Sequence, residues 1–209
     1  MRLSFILSLI LVNTPMFCQP KSFSFIFLNK KTDAVQLSKE ESDKIMEGHM
    51  ANINRLAKEG KLISAGPFEG GGGLFIFNTT SVEEARTWLA TDPGVKANRW
   101  NIEVLSYTPH IGSACLVKEP YEMVMYQFIR YKSAIGADGK KFVTDFITNL
   151  KATADVITEG SFGDTGEGIL VLKNKQENKS LEADPAVKEG RLSLDIKQLY
   201  IAKGAFCEP

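Results

Sequence analysis

The chain says nearly the same thing twice. Gly66-Pro67-Phe68 and Thr91-Asp92-Pro93-Gly94-Val95-Lys96 in the first half return as Gly160-Ser161-Phe162 and Ala183-Asp184-Pro185-Ala186-Val187-Lys188 in the second. An internal repeat constrains architecture before any motif is read, because each copy is one structural unit and the copies cover each other's apolar faces. The register holds at the far end as well, since Asp92 to Cys115 and Asp184 to Cys207 are equal distances along the chain. Counted back without a gap from the Gly-Pro-Phe and Gly-Ser-Phe triplets, Leu56 falls opposite Leu150, Ile53 opposite Ile147, and His49 opposite Val143. Two copies that keep a scaffold and differ at one titratable position suggest one functional site and a second, degenerate copy without it.

At 209 residues the chain holds two units near the small end of the domain range, each with a thin core of its own, so packing them together is the expected remedy. The formal net charge is zero and no basic block occurs, which argues against nucleic acid and against an anionic membrane surface as the main partner.

Met1-Arg2, an apolar run over 3–12 and a polar, turn-forming stretch over 13–19 have the layout of a secretory signal peptide. The run is too short to span a membrane. A secreted or periplasmic protein is expected, with no membrane partner once residues 1–19 are removed; a buried N-terminal strand or helix is the alternative. Removal behind Cys18 leaves Cys115 and Cys207, an even pair in a compartment that permits oxidation. A disulfide between them is one expectation and two unpaired thiols at strand ends the other, because bridging requires the α-carbons to lie within about 7 Å.

Residues 23–28 are apolar and aromatic and read as a strand. Ser38-Lys39-Glu40-Glu41 is a capping box that opens a helix stopped by Gly60, and Ile45, His49, Ile53 and Leu56 recur on one face, turning His49 toward the sheet. Strands at 61–65, 74–77 and 100–107 follow, with a second capped helix from Ser81 through 89 and a break at Asp92-Pro93. The second copy places strands at 122–130, 155–158, 168–172 and 192–202 and helices at 141–152 and 175–181. The expected organisation is a first unit at 20–109, a linker at 110–120 and a second unit at 121–209. Strand, helix, strand, strand, helix, strand is the ferredoxin-like order. The predicted fold is therefore α+β, two such βαββαβ units whose sheets pack face to face as a single-chain pseudodimer.

Glu47-Gly48-His49, the run from Arg55 through Lys61 to Ser64-Ala65-Gly66-Pro67-Phe68, and Asp92-Pro93-Gly94-Val95 together resemble the YciI-type, YCII-related domain. The resemblance covers 23–109 well and 121–202 more faintly. It implies a ferredoxin-like fold paired into a dimeric α+β barrel, a catalytic dyad made by His49 and Asp92, and Ser64 and Gly66 lining the same pocket. The family's chemical precedent is a dehydrochlorinase acting on a chlorinated hydroxyquinol.

A histidine near neutral pKa can shuttle a proton, and a carboxylate on one ring nitrogen fixes the tautomer that presents the other. No nucleophile motif accompanies the pair, so proton abstraction, elimination or isomerisation fits better than acyl transfer. His49 can equally be a satisfied core residue and Asp92 a turn starter, as Asp184 is in the copy without the histidine. Gly70 to Gly73 lead into no Gly-Lys-Ser/Thr and read as a hairpin turn rather than a phosphate cradle. Residues 74–77 lack the basic-Gly-aromatic signature of an RNA-facing strand. With His49 and His110 the only histidines, and His110 placed in the linker, no metal site and no cofactor are expected. The leading expectation is an exported protein with a small-molecule acid/base site in its first unit. A non-catalytic ligand-binding module and a purely structural or interaction protein are the alternatives.

Overall fold

The computed structural model describes residues 22–207, so the expected leader at 1–19 lies outside the described residues. The first strand, β1 (Phe23–Lys30), shows why its apolar run is unbroken. Phe23, Phe25 and Phe27 point into one core and Ile26 and Leu28 into another, so both faces of the strand are covered. Helix α1 (Lys39–Lys58) starts with the full capping box: the Glu41 amide donates to the Ser38 hydroxyl, and the Glu41 carboxylate accepts from the Ser38 amide. It lays Leu56, Asn52 and His49 on the sheet. Strands β2 (Leu62–Pro67) and β3 (Gly73–Phe77), helices α2 (Val82–Leu89) and α3 (Pro93–Lys96) and strand β4 (Trp100–Ile111) complete the first half, with the strands side by side as β2-β3-β1-β4, all neighbours antiparallel.

After the short strand β5 (Ser113–Ala114), the second half runs β6 (Met123–Ser133), α4 (Ala137–Lys151), β7 (Val156–Ser161), β8 (Glu167–Leu172), α5 (Asn178–Glu182), α6 (Pro185–Lys188) and β9 (Leu192–Ala202), closing with β10 (Phe206–Cys207). Its strands lie in the order β7-β8-β6-β9. Both halves carry the same slip, at Leu62/Ser64 in β2 and at Val156/Thr158 in β7.

The halves join differently from the expected face-to-face stacking of two sheets. They form one eight-stranded antiparallel sheet, because β4 outruns β1 and offers Thr108, Pro109 and Ile111 to β7. At the outer edges Phe68 bridges Leu199 and the Glu69 amide donates to the Gln198 carbonyl at 2.9 Å, so the sheet curls until β2 meets β9. The cluster enclosed by the curl mixes Phe25, Phe27 and Ile76 with Phe128, Val171 and Leu199. Two further clusters lie between the sheet and the helices, one in each half. Closure abolishes the exposed edges that two separate sheets would leave.

Two boundaries shift for physical reasons. Residues 110–111 of the expected linker belong to β4 and Ser113–Ala114 to β5, which pairs with β10. Pro109 is tolerated because the register slips between it and Ile111. The helix expected at 175–181 begins only at Asn178, because the Gln127 side chain bonds both the amide (2.7 Å) and the carbonyl (3.0 Å) of Gln176 and holds that residue extended. Cys115 and Cys207 are joined in a disulfide beside the β5–β10 pair, their α-carbons 5.8 Å apart.

Candidate functional site

His49 and Asp92 meet although they lie 43 residues apart, with His49 Nδ1 2.9 Å from Asp92 Oδ2. Asp92 is the N-cap of α3, and its Oδ1 accepts from the amides of Gly94 (2.8 Å) and Val95 (3.2 Å). Oδ2 also accepts from Asn52 Nδ2 at 3.1 Å. The capping bonds aim one oxygen into the short helix and leave the other for the imidazole. Asp92 is fully buried; burial pushes its carboxyl up, but the bond from His49 and its charge, with the Val95 amide and Asn52, outweigh this and hold it below the ordinary 3.8.

The His49 ring stacks on Phe75 (centroids 5.6 Å) and leans on Trp100 (5.0 Å). Its side chain keeps 10 % exposure, and among the described residues no side-chain nitrogen or oxygen shut off from solvent lacks a partner. Nε2, which bonds to no described residue, therefore keeps a path to solvent. With Nδ1–H donated to the carboxylate, Nε2 is the nitrogen left for a ligand.

The other two residues expected in this pocket are not brought to the dyad. A β-carbon on Gly66 would collide with the Tyr200 carbonyl and crowd Ile201, so Gly66 faces β9 and lets β2 approach it. Ser64 lies two residues earlier on the same strand, and Ala65 between them packs with the helix-side cluster that surrounds His49. No hydrogen bond joins Ser64 to His49 among the described residues. The strand's period of two separates what the motif places side by side in sequence.

A cavity of about 900 Å³ lies in the second half, between α4 and the sheet. His110, from the far end of β4, enters it with Nδ1 3.3 Å from Glu159 Oε2 and Nε2 3.3 Å from the Ser161 hydroxyl. Glu159 is buried, and its Oε1 accepts from Tyr131 at 2.7 Å. Burial and the Glu159 charge drive the Tyr131 phenol far above its usual value, so it stays a donor. The bond to Glu159, opposed by burial, raises the His110 imidazole above 6.5. The sequence reading missed this group by placing His110 in a linker. A usable signal was present: the register that sets His49 opposite Val143 sets Ala65 opposite Glu159 and Pro67 opposite Ser161. The copy that loses a histidine gains a carboxylate and a hydroxyl.

Comparison with curated proteins finds no match. Among solved structures, a Fusobacterium nucleatum subsp. nucleatum protein described as a "putative monooxygenase" is similar over 90 % of this chain and 94 % of its own, at 9 % identity and a TM-score of 0.47. The YCII-related domain matches residues 23–107, the half that contains His49 and Asp92 and that ends just short of His110.

Proposed function

We propose that the first half is a small-molecule acid/base site in which His49 moves a proton at Nε2 and Asp92 orients it. The observation that carries this reading is the 2.9 Å contact of His49 Nδ1 with a carboxylate that is itself fixed by two helix amides. An imidazole so held presents one lone pair in one direction, which is what proton abstraction, elimination or isomerisation requires. The YCII-related domain over 23–107 supports a small-molecule or enzymatic role. The common strand order of the halves, 2-3-1-4 in each, supports reading the chain as a fused pair of ferredoxin-like units with a diverged second copy. The signal-like start supports export of the mature chain, and neutral charge supports a small ligand rather than nucleic acid.

One observation favours a second reading. His49 packs against the Phe75 and Trp100 rings in the helix-side core, a setting that equally suits a pair whose role is to tie α1 to α3. Two measurements separate the readings. Long-range proton–nitrogen NMR should show the proton on Nδ1 and a bare Nε2, with that preference lost in Asp92→Asn. In heavy water, a panel of small enolisable ketones and acids should include a member that gains deuterium with the wild type and not with His49→Gln. Exchange in no member with the wild type, together with a His49→Gln variant that is merely less stable, would leave the structural reading.

A further inference from the structure

We propose that the cavity in the second half is a binding site for a small organic acid, a carboxylate on an apolar body, whose charged end is held by His110 and Ser161. The pairing of the donors and acceptors around the cavity points to such a ligand, whatever the role of His49.

The carboxylates are already paired, and the hydroxyls of Ser133, Thr144 and Thr148 have spent their protons. Glu159 has one oxygen on Tyr131 and the other on His110 Nδ1. Glu167 is paired with Arg130 at 2.6 Å and Lys132 at 2.9 Å, and Asp164 has Lys140 at 3.8 Å. The hydroxyls of Thr144 and Thr148 donate back into their own helix, and that of Ser133 donates to the carbonyls of Ala134 and Gly166. The donors that remain facing the space are the Ser161 hydroxyl, whose proton is free to turn outward when His110 Nε2–H donates to its oxygen at 3.3 Å, and Lys151, which has no ion-pair partner among the described residues. A ligand that fits must therefore bring acceptor oxygens.

The charged and titratable groups around His110 come from every neighbouring element. They are Tyr131 from β6, Glu159 from β7, Glu167 from β8, Asp164 from the β7–β8 turn, and Lys140 and Lys151 from α4. Glu159 is the one that touches it, and the pairing at 3.3 Å favours the imidazolium, the form in which Nε2 carries a proton. A carboxylate accepting from a hydroxyl that is itself bonded to an imidazolium, with that positive charge beside it, is a charge-assisted arrangement. Ile111, Val143 and Ile147 supply apolar wall for the body of the ligand. At about 900 Å³ the space suits a ligand of metabolite size, ligand clefts spanning roughly 300–1,000 Å³.

The test is calorimetric titration of the full chain with 2-naphthoate and with 2-naphthalenemethanol, which share a body and differ in the charged end. The acid should bind about tenfold tighter than the alcohol, a difference worth one charge-assisted hydrogen bond. His110→Gln and Ser161→Ala should each remove most of that preference, while His49→Gln leaves it intact. His110 is half exposed, so its replacement should leave the fold unchanged by circular dichroism. Affinity for the acid should fall as pH rises through the His110 titration in the wild type and stay flat in His110→Gln. Equal binding of acid and alcohol, a preference that survives both variants, or no binding of either compound would overturn the proposal.

Discussion

At the scale of the residue, Asp92 carries more structure than any other polar side chain in the first half. Four donors converge on its two oxygens, two of them backbone amides that begin α3. Asp92→Ala should destabilise the protein by roughly 2–4 kcal/mol in urea unfolding, because buried donors are then left without acceptors. Asp92→Asn should cost less, since its carbonyl oxygen can keep the capping bonds. The two forms should also differ in pH dependence. Asp92 is held below its ordinary 3.8 in the folded state, so its contribution is complete above that value and is lost as pH falls through the lower folded value. The wild type's advantage over Asp92→Asn should therefore shrink as pH falls below about 4 in stepped urea titrations. An advantage that does not change with acid would mean that the carboxylate is not bonded as described. The same position shows what a lone chain can and cannot tell. Asp92 was legible because Asp-Pro after a helix is a capping pattern, and its bond to His49 became legible only through a resemblance, since nothing local links residues 43 apart.

At the scale of the element, local chemistry was readable and seams between elements were not. The Ser38 and Ser81 caps, the Gly60 stop and the apolar run of β1 could be read because each depends on near neighbours in the chain. The β4–β7 and β2–β9 contacts leave no comparable mark, since each depends on how far a strand extends and which way it curls. The strand expected at 100–107 continues instead through Pro109, where a slip in register lets β4 run on and carry His110 into the second half. Gly66 read as part of a pocket, whereas it is the clearance that lets β2 meet β9. Gly66→Ala should accordingly cost roughly 1–3 kcal/mol, as for other insertions into a packed contact. The damage should be local: amide exchange at Glu69, whose N–H reaches the Gln198 carbonyl across the seam, should accelerate more than exchange in β1 or β6. Uniform acceleration throughout the sheet would indicate that the seam and the remaining strands open as one unit.

At the scale of the whole molecule, the two halves differ in chemistry and depend on each other for burial. Phe25, Phe27, Leu74 and Ile76 from the first half are covered by Phe128, Ile169, Val171 and Leu199 from the second, inside the curled sheet. Arg130 fastens the rim, reaching Glu103 across the divide at 2.9 Å and Glu167 in its own half at 2.6 Å while lying over the Phe27 ring. The Cys115–Cys207 bond ties the two chain segments that leave β4 and β9. A fragment comprising residues 22–111 would retain the β2-β3-β1-β4 order and the helix-side core around Leu56 and Phe77, so its secondary structure should form. It would, however, expose the aromatic face of β1 together with the free edges of β2 and β4, which is a surface that self-pairs. The fragment should therefore sediment as a dimer or larger species at micromolar concentration, whereas covering the same face within one chain removes that need. A folded, monomeric fragment in analytical ultracentrifugation would show that the enclosed cluster is dispensable to the first half, and that the second half is joined to it for its own cavity rather than for burial.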